Sequence, residues 1–119
     1  MAAPGAREQF PRDDAAQRCA DIASACERIA AHISERKPEA HILDALRQAA
    51  SLCSAAASEA GLDQDSTTML SNLSTAIDTW HKVWPRLSHD METGPSFRAA
   101  VVRECGLWSR RLYALAQTT

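Results

Sequence analysis

The chain has 119 residues, a formal net charge of −2 and an isoelectric point of about 6.0. Hydrophobic residues make up 45% and charged residues 24%, as is typical of one globular domain. This charge argues against a general nucleic-acid binder, which would be strongly basic. No apolar run approaches the roughly 18 residues that a membrane span needs. From the charge and the apolar pattern together, we expect neither a nucleic-acid partner nor a membrane partner.

The N-terminal segment contains no apolar stretch of the kind that a secretory signal carries. We expect residues 1–12 to be a disordered leader and residues 13–119 to form a single helical-bundle domain. We also expect a cytoplasmic protein, in which the four cysteines are reduced.

The first half of the chain contains two segments in which apolar residues recur at steps of three and four, as on one face of an α-helix. The first segment begins near Asp13, ends near Lys37, and has the inward stripe Cys19, Ile22, Cys26, Ile29 and Ile33. The second begins at Pro38, and Gly61 fits the residue after its end, with Leu62 as the following apolar contact. Its stripe is Ile42, Leu46, Ala49, Cys53, Ala56 and Ala60.

The second half contains two further segments of the same kind. Asp65 or Ser66 is expected to cap the third, whose stripe is Met69, Leu70, Leu73, Ile77, Trp80 and Trp84. Pro85 must kink or end this helix, although Leu87 and Met91 extend the pattern beyond it. The fourth begins near Pro95, and its stripe is Phe97, Val101, Cys105, Trp108, Leu112 and Leu115.

Short linkers make successive helices antiparallel neighbours. The sequence therefore predicts an all-α, antiparallel (up-down-up-down) four-helix bundle, and it leaves open whether helix three is kinked or broken at Pro85. A three-helix core with a loosely attached fourth element is the alternative. If Trp80 and Trp108 are buried, replacing either with Ala should cost about 3–5 kcal/mol, whereas Ser71→Ala should change stability little.

Charged residues are absent between Gln48 and Ser58 and between Ser66 and Ile77. Exposed helix faces normally carry charge, and the cores of interfaces are depleted in it. We therefore predict a non-catalytic helical protein–protein interaction module whose partner is a second copy of itself, the commonest soluble oligomer being a twofold dimer. The alternative is that the serine and threonine side chains keep this surface hydrated without any partner. The predicted interaction residues are Ser51, Ser54, Ser58, Thr67, Ser71 and Ser74.

The histidines suggest a second function, a small-ligand or metal-binding bundle with a His/carboxylate site near the end that holds the first and third loops. His32 and His41 flank the first loop, and Asp78 and His81 have the i, i+3 spacing that places both on one helix face. Imidazole and carboxylate form a normal zinc or iron ligand set. Di-iron bundles, however, use two Glu-x-x-His motifs. We therefore predict no cofactor, and solvated histidines are the simpler interpretation.

The remaining chemical features have plainer interpretations. Cys26 and Cys105 should lie at similar height in the bundle, with Cys53 nearby, and this arrangement permits a thiolate cluster for a soft metal. Packing of the cysteines in the core is favoured instead, because no CxxC pair occurs. The absence of nucleophile-elbow, phosphate-loop and HExxH motifs argues against an enzyme. The fourth helix is locally basic, and a solvated face is favoured over a patch for an acidic partner. Its basic residues are Arg98, Arg103, Arg110 and Arg111.

Overall fold

The computed structural model describes the backbone of residues 3–58 and 63–118 and the side chains of residues 15–58 and 63–117. Within these ranges the chain forms four α-helices and no strand. The helices are α1 (Ala3–Ser34), α2 (Glu39–Ala57), α3 (Gln64–Leu87) and α4 (Gly94–Thr118). The predicted all-α four-helix bundle is confirmed.

The helices pack as two closely associated pairs. α1 lies along α4, α2 lies along α3, and α1 also packs against α2, whereas α3 and α4 approach each other over only a small region. The imidazole Nε2 of His89, after α3, is 2.9 Å from Glu39 Oε1, at the start of α2. This contact brings the α1–α2 turn and the α3–α4 turn together at one end of the molecule.

The core follows the predicted stripes closely in α1 and α2. All stripe residues of these two helices that the structure describes are buried, from Cys19 to Ala56. In α3 and α4 the stripe is less deeply covered, because Met69, Trp80, Phe97 and Trp108 are only partly buried. Trp84 is 1% exposed and is the largest fully buried side chain. Burying each Leu, Ile or Val of this core contributes about 1.5–3 kcal/mol.

Two helix ends differ from the sequence-based bounds. α1 begins at Ala3 and not near Asp13, so its backbone includes most of the segment expected to be a leader; the domain boundary at residue 12 stays a prediction. α2 ends at Ala57, with Ser58 as its C-cap. The predicted roles of Ala60, Gly61 and Leu62 lie outside the described residues.

The turn after α1 ends the helix without a glycine. The backbone N–H of Lys37 donates to the carbonyl of His32 over 2.9 Å. The backbone N–H of Arg36 donates to the carbonyl of Ile33 over 3.1 Å. These are the two bonds of a Schellman motif, which requires a left-handed residue after the helix. Arg36 occupies that position with φ 55°, a conformation that glycine adopts far more readily than arginine does.

The bounds of α3 correct one expectation and show that the helix is not broken at Pro85. Its N-cap is Asp63 and not Asp65 or Ser66, because Asp63 Oδ1 accepts from the backbone N–H of Ser66 over 2.8 Å. Hydrogen bonding by the Ser66 side chain and by its backbone N–H lowers the pKa of the Asp63 carboxyl. The helix continues past Pro85 but ends at Leu87, so proline lies in the last turn, where it interrupts few helical bonds.

The turn between α3 and α4 is held by Asp90. Its Oδ1 accepts the backbone N–H groups of Glu92 and Thr93, each over 2.9 Å, and these bonds lower the pKa of its carboxyl. Met91, expected to extend the apolar stripe of α3, lies instead in this turn and is 94% exposed. No helix in the described ranges is both long enough and apolar enough to cross a lipid bilayer.

Candidate functional site

The predicted interaction residues lie on α2, at its C-cap and on α3, and we call this set the hydroxyl face. The hydroxyls of Ser54 in α2 and Ser74 in α3 are 3.3 Å apart, which shows that the two uncharged segments lie side by side. Ser51, Ser54, Ser58 and Ser71 are exposed, while Thr67 and Ser74 are half-buried. The structure therefore brings the six residues Ser51, Ser54, Ser58, Thr67, Ser71 and Ser74 onto the α2–α3 pair.

Several hydroxyls at and beside this face are bonded to their own helix. Ser58 Oγ donates to the Ser54 carbonyl over 3.0 Å, and Thr75 Oγ1 donates to the Ser71 carbonyl over 3.0 Å. Thr79 Oγ1 donates to the Thr75 carbonyl over 2.9 Å. A hydroxyl that is already bonded to a carbonyl loses less on leaving water than one that is not. Covering these particular hydroxyls therefore requires less desolvation than covering free ones.

The histidine and carboxylate residues are divided between two places. The rings of His32 and His41 are 6.4 Å apart between centroids, at the α1–α2 turn. Asp78 and His81 instead lie between α2 and α3, where they line a pocket of about 460 Å³ with Arg47, Ser51 and Ser54. They therefore adjoin the hydroxyl face, which the sequence interpretation had treated as a separate site.

The candidate metal ligands do not assemble into one site. Among the residues that the structure describes, no group of three or more His, Cys, Asp or Glu side chains has the geometry to hold a metal ion. The Nε2 atom of His81 is buried and has no hydrogen-bond partner in the described part of the molecule. One unsatisfied nitrogen beside Arg47 and Asp78 does not supply the three or four ligands of a zinc site.

The four cysteines are buried as reduced thiols, as their positions on the inward stripes predict. Burial raises the pKa of the Cys26 thiol to about 12, with a smaller contribution from Glu27. Burial also raises the pKa of Cys53 to about 12, with further contributions from Cys26 and Asp78, and it raises the pKa of Cys105. Neutral, enclosed thiols are poor nucleophiles and poor metal ligands at neutral pH, so this group acts as core packing.

A second concave surface lies at the end where the two turns meet, and we call it the turn groove. It has a volume of about 910 Å³ and is bounded by the α1–α2 turn on one side and by α4 on the other. Arg36, Lys37, Arg98 and Arg103 line it, together with Glu39 and Asp90. Arg98 and Arg103 belong to the basic face that the sequence indicated.

Arg36 was missed by the sequence interpretation, although a signal for it exists. A helix that runs to Ser34 and is followed by Pro38 must reverse within three residues, none of which is glycine. Because many helices end with a left-handed residue, one of these three was a candidate for that position.

No protein family model, no curated protein and no solved structure matches this chain. Its function is therefore inferred from the surfaces of the chain itself.

Proposed function

We propose that the chain is a non-catalytic helical interaction module that pairs with a second copy of itself through the hydroxyl face. The observation that supports this proposal most directly is the uncharged outer surface shared by α2 and α3, on which the helices meet through Ser54 and Ser74. Elsewhere the outer surface has abundant charge; α4 alone exposes Arg103, Glu104 and Arg110.

Three physical features favour a twofold contact at this surface. Small side chains allow two helix pairs to approach closely, so that dispersion contacts form along the hydroxyl face. The intrahelical bonds of Ser58 and Thr75 lower the cost of removing water from those two hydroxyls. Because a twofold interface uses the same patch on both copies, a surface without charge avoids placing like charges opposite one another.

Sedimentation velocity of the full chain at tens of micromolar tests the proposal. The parent chain is expected to sediment as a dimer, and Ser71→Glu is expected to convert it to a monomer. The introduced carboxylate would be buried opposite its own copy, and burying an unpaired charge is strongly unfavourable. A parent chain that stays monomeric at this concentration would contradict self-association.

Ala114→Glu is the matched control. Ala114 is exposed on α4, away from the hydroxyl face, so the same added charge should leave the dimer intact. If Ala114→Glu dissociates the dimer as completely as Ser71→Glu does, the interface is elsewhere or the effect is one of net charge.

A further inference from the structure

We propose that the turn groove binds an organic anion that consists of a carboxylate or phosphate-monoester head and a flexible apolar chain. The inference concerns a different surface from the hydroxyl face and does not depend on self-association. It rests on the charge of the groove wall, on the apolar residues below it, and on the backbone conformation of Arg36.

The charge of the groove is unbalanced in favour of anions. Four cationic side chains line it, against two carboxylates, and one of the cations, Lys37, pairs with Glu35 over 3.7 Å. Both carboxylates are already engaged: Glu39 pairs with His89 at 2.9 Å, and Asp90 accepts the two amides of its own turn. Neither Arg36 nor Arg103 forms an ion pair with any side chain that the structure describes. These guanidinium groups are therefore free to bind an anionic head bidentately.

Arg98 is held in place for the same task. Its Nε donates to the Ser88 carbonyl over 3.2 Å, and its guanidinium carbon lies 5.4 Å from the centre of the Trp84 ring. These contacts fix the side chain in one orientation and leave its terminal nitrogens without a partner among the described residues. A pre-oriented guanidinium loses little entropy when an anion binds.

The lower part of the groove is apolar. Ile33, Ile42 and Trp84 form its floor, and Val102 of α4 adds a partly buried wall. Met91 lies at the rim with 94% of its surface exposed. A flexible thioether adapts to irregular apolar ligands and can cover a bound chain. The volume lies within the range of small-molecule sites, and an apolar surface with a few charged groups is their usual composition.

The conformation of Arg36 is the independent observation. This residue lines the groove and also has φ 55° at the end of α1. Glycine would satisfy the Schellman motif with less strain. Strained positions of this kind concentrate at ligand-binding sites, and a cationic side chain here costs stability while adding charge to the groove.

Isothermal titration calorimetry on the full chain tests the ligand class with defined probes. Decanoate and decyl phosphate carry the two heads on one chain, acetate lacks the chain, and decyltrimethylammonium reverses the charge. We expect saturable binding of one equivalent of decanoate or decyl phosphate, and at least tenfold weaker binding of acetate and of the cation. Whichever head binds more tightly identifies the anion. Failure of both anionic probes to bind at millimolar concentration, or equal binding of the cation, overturns the proposal.

Three variants locate the site. Arg103→Gln should weaken binding about tenfold, as expected for losing one charge-assisted contact, whereas Arg110→Gln, on the same helix but outside the groove, should not. Arg36→Gly should melt a few degrees higher than the parent and yet bind about tenfold more weakly, a combination that loss of folding cannot produce. Unchanged affinity in both Arg103→Gln and Arg36→Gly overturns the assignment.

The same titration of Ser71→Glu separates this proposal from self-association. The monomeric variant should bind the probe as tightly as the parent does, because Ser71 does not line the groove. Loss of binding in Ser71→Glu would show that the anion site requires the dimer, contrary to the proposal.

Discussion

The phenol hydroxyl of Tyr113 in α4 donates a hydrogen bond to Glu27 Oε1 in α1 over 2.7 Å. The two residues are far apart in sequence and join the helices of the α1–α4 pair. The bond to Glu27 raises the pKa of the Tyr113 phenol, because removing the phenolic proton would abolish the bond and place two negative charges together.

This relationship can be measured cleanly, because Tyr113 is the only tyrosine in the chain. Absorbance titration of tyrosinate should give a phenol pKa above that of free tyrosine. Glu27→Gln should lower the pKa, since an amide oxygen accepts the hydrogen bond without a negative charge. A pKa that is the same in Glu27→Gln and in the parent would show that this bond does not form in solution; circular dichroism at each pH confirms that the chain stays folded.

Sequence periodicity was sufficient for the core of α1 and α2 because their apolar residues face neighbours on two sides. It overestimated the burial of Trp80 and Trp108, because periodicity identifies the inward side of a helix but not how closely a neighbour approaches. α3 and α4 approach each other over only a small region, so their stripes stay partly open.

The candidate sites were predicted unevenly for similar reasons. The hydroxyl face follows from the absence of charge in two segments that a short linker makes adjacent. The turn groove was not predicted, because the sequence does not say which residue before Pro38 becomes left-handed, nor that Asp90 closes its own turn. The placement of His81 beside Arg47 required the relative axial register of α2 and α3, which periodicity does not give.

The three tryptophans should differ in their contribution to stability. Trp84 is 1% exposed, and its ring lies 5.3 Å from that of Phe97. Trp84→Ala should therefore lower the free energy of unfolding by about 3–5 kcal/mol, because it leaves a cavity in the core. Trp80→Ala and Trp108→Ala should lower the free energy of unfolding by about 1–3 kcal/mol, because each ring is already partly exposed to solvent. This loss is smaller than the sequence alone suggested. Urea denaturation of the three variants checks this order, and equal losses would contradict the burial pattern.

Two glycines of α4 should respond in opposite directions to the same substitution. A Cβ atom at Gly94 would lie 2.9 Å from the Ser88 carbonyl oxygen, whereas one at Gly106 would have nothing within 4 Å. Gly106→Ala should raise the free energy of unfolding by about 0.5–1 kcal/mol, because alanine restricts the unfolded chain and favours the helix. Gly94→Ala should lower it, because the close contact is with backbone that cannot move aside. Thermal denaturation of both variants is the measurement, and a gain in stability at Gly94 would show that the α3–α4 turn adapts.

The buried thiols should make the fold sensitive to alkaline pH. Burial raises the pKa of Cys26 from 9.0 to about 12, and that of Cys53 by the same amount. Between these values the unfolded chain loses the thiol protons that the native core retains, so the stability that is fully present below pH 9.0 is lost progressively as the pH rises towards about 12. At one pH unit above the ordinary thiol pKa, the free energy of unfolding should be lower than at neutral pH by about 1 kcal/mol for each buried thiol. Urea denaturation of the parent and of a Cys26→Ala, Cys53→Ala double variant, at neutral pH and at about pH 10, isolates this contribution. The double variant should lose less stability on raising the pH than the parent does, and an identical loss in both would assign the alkaline sensitivity to other groups.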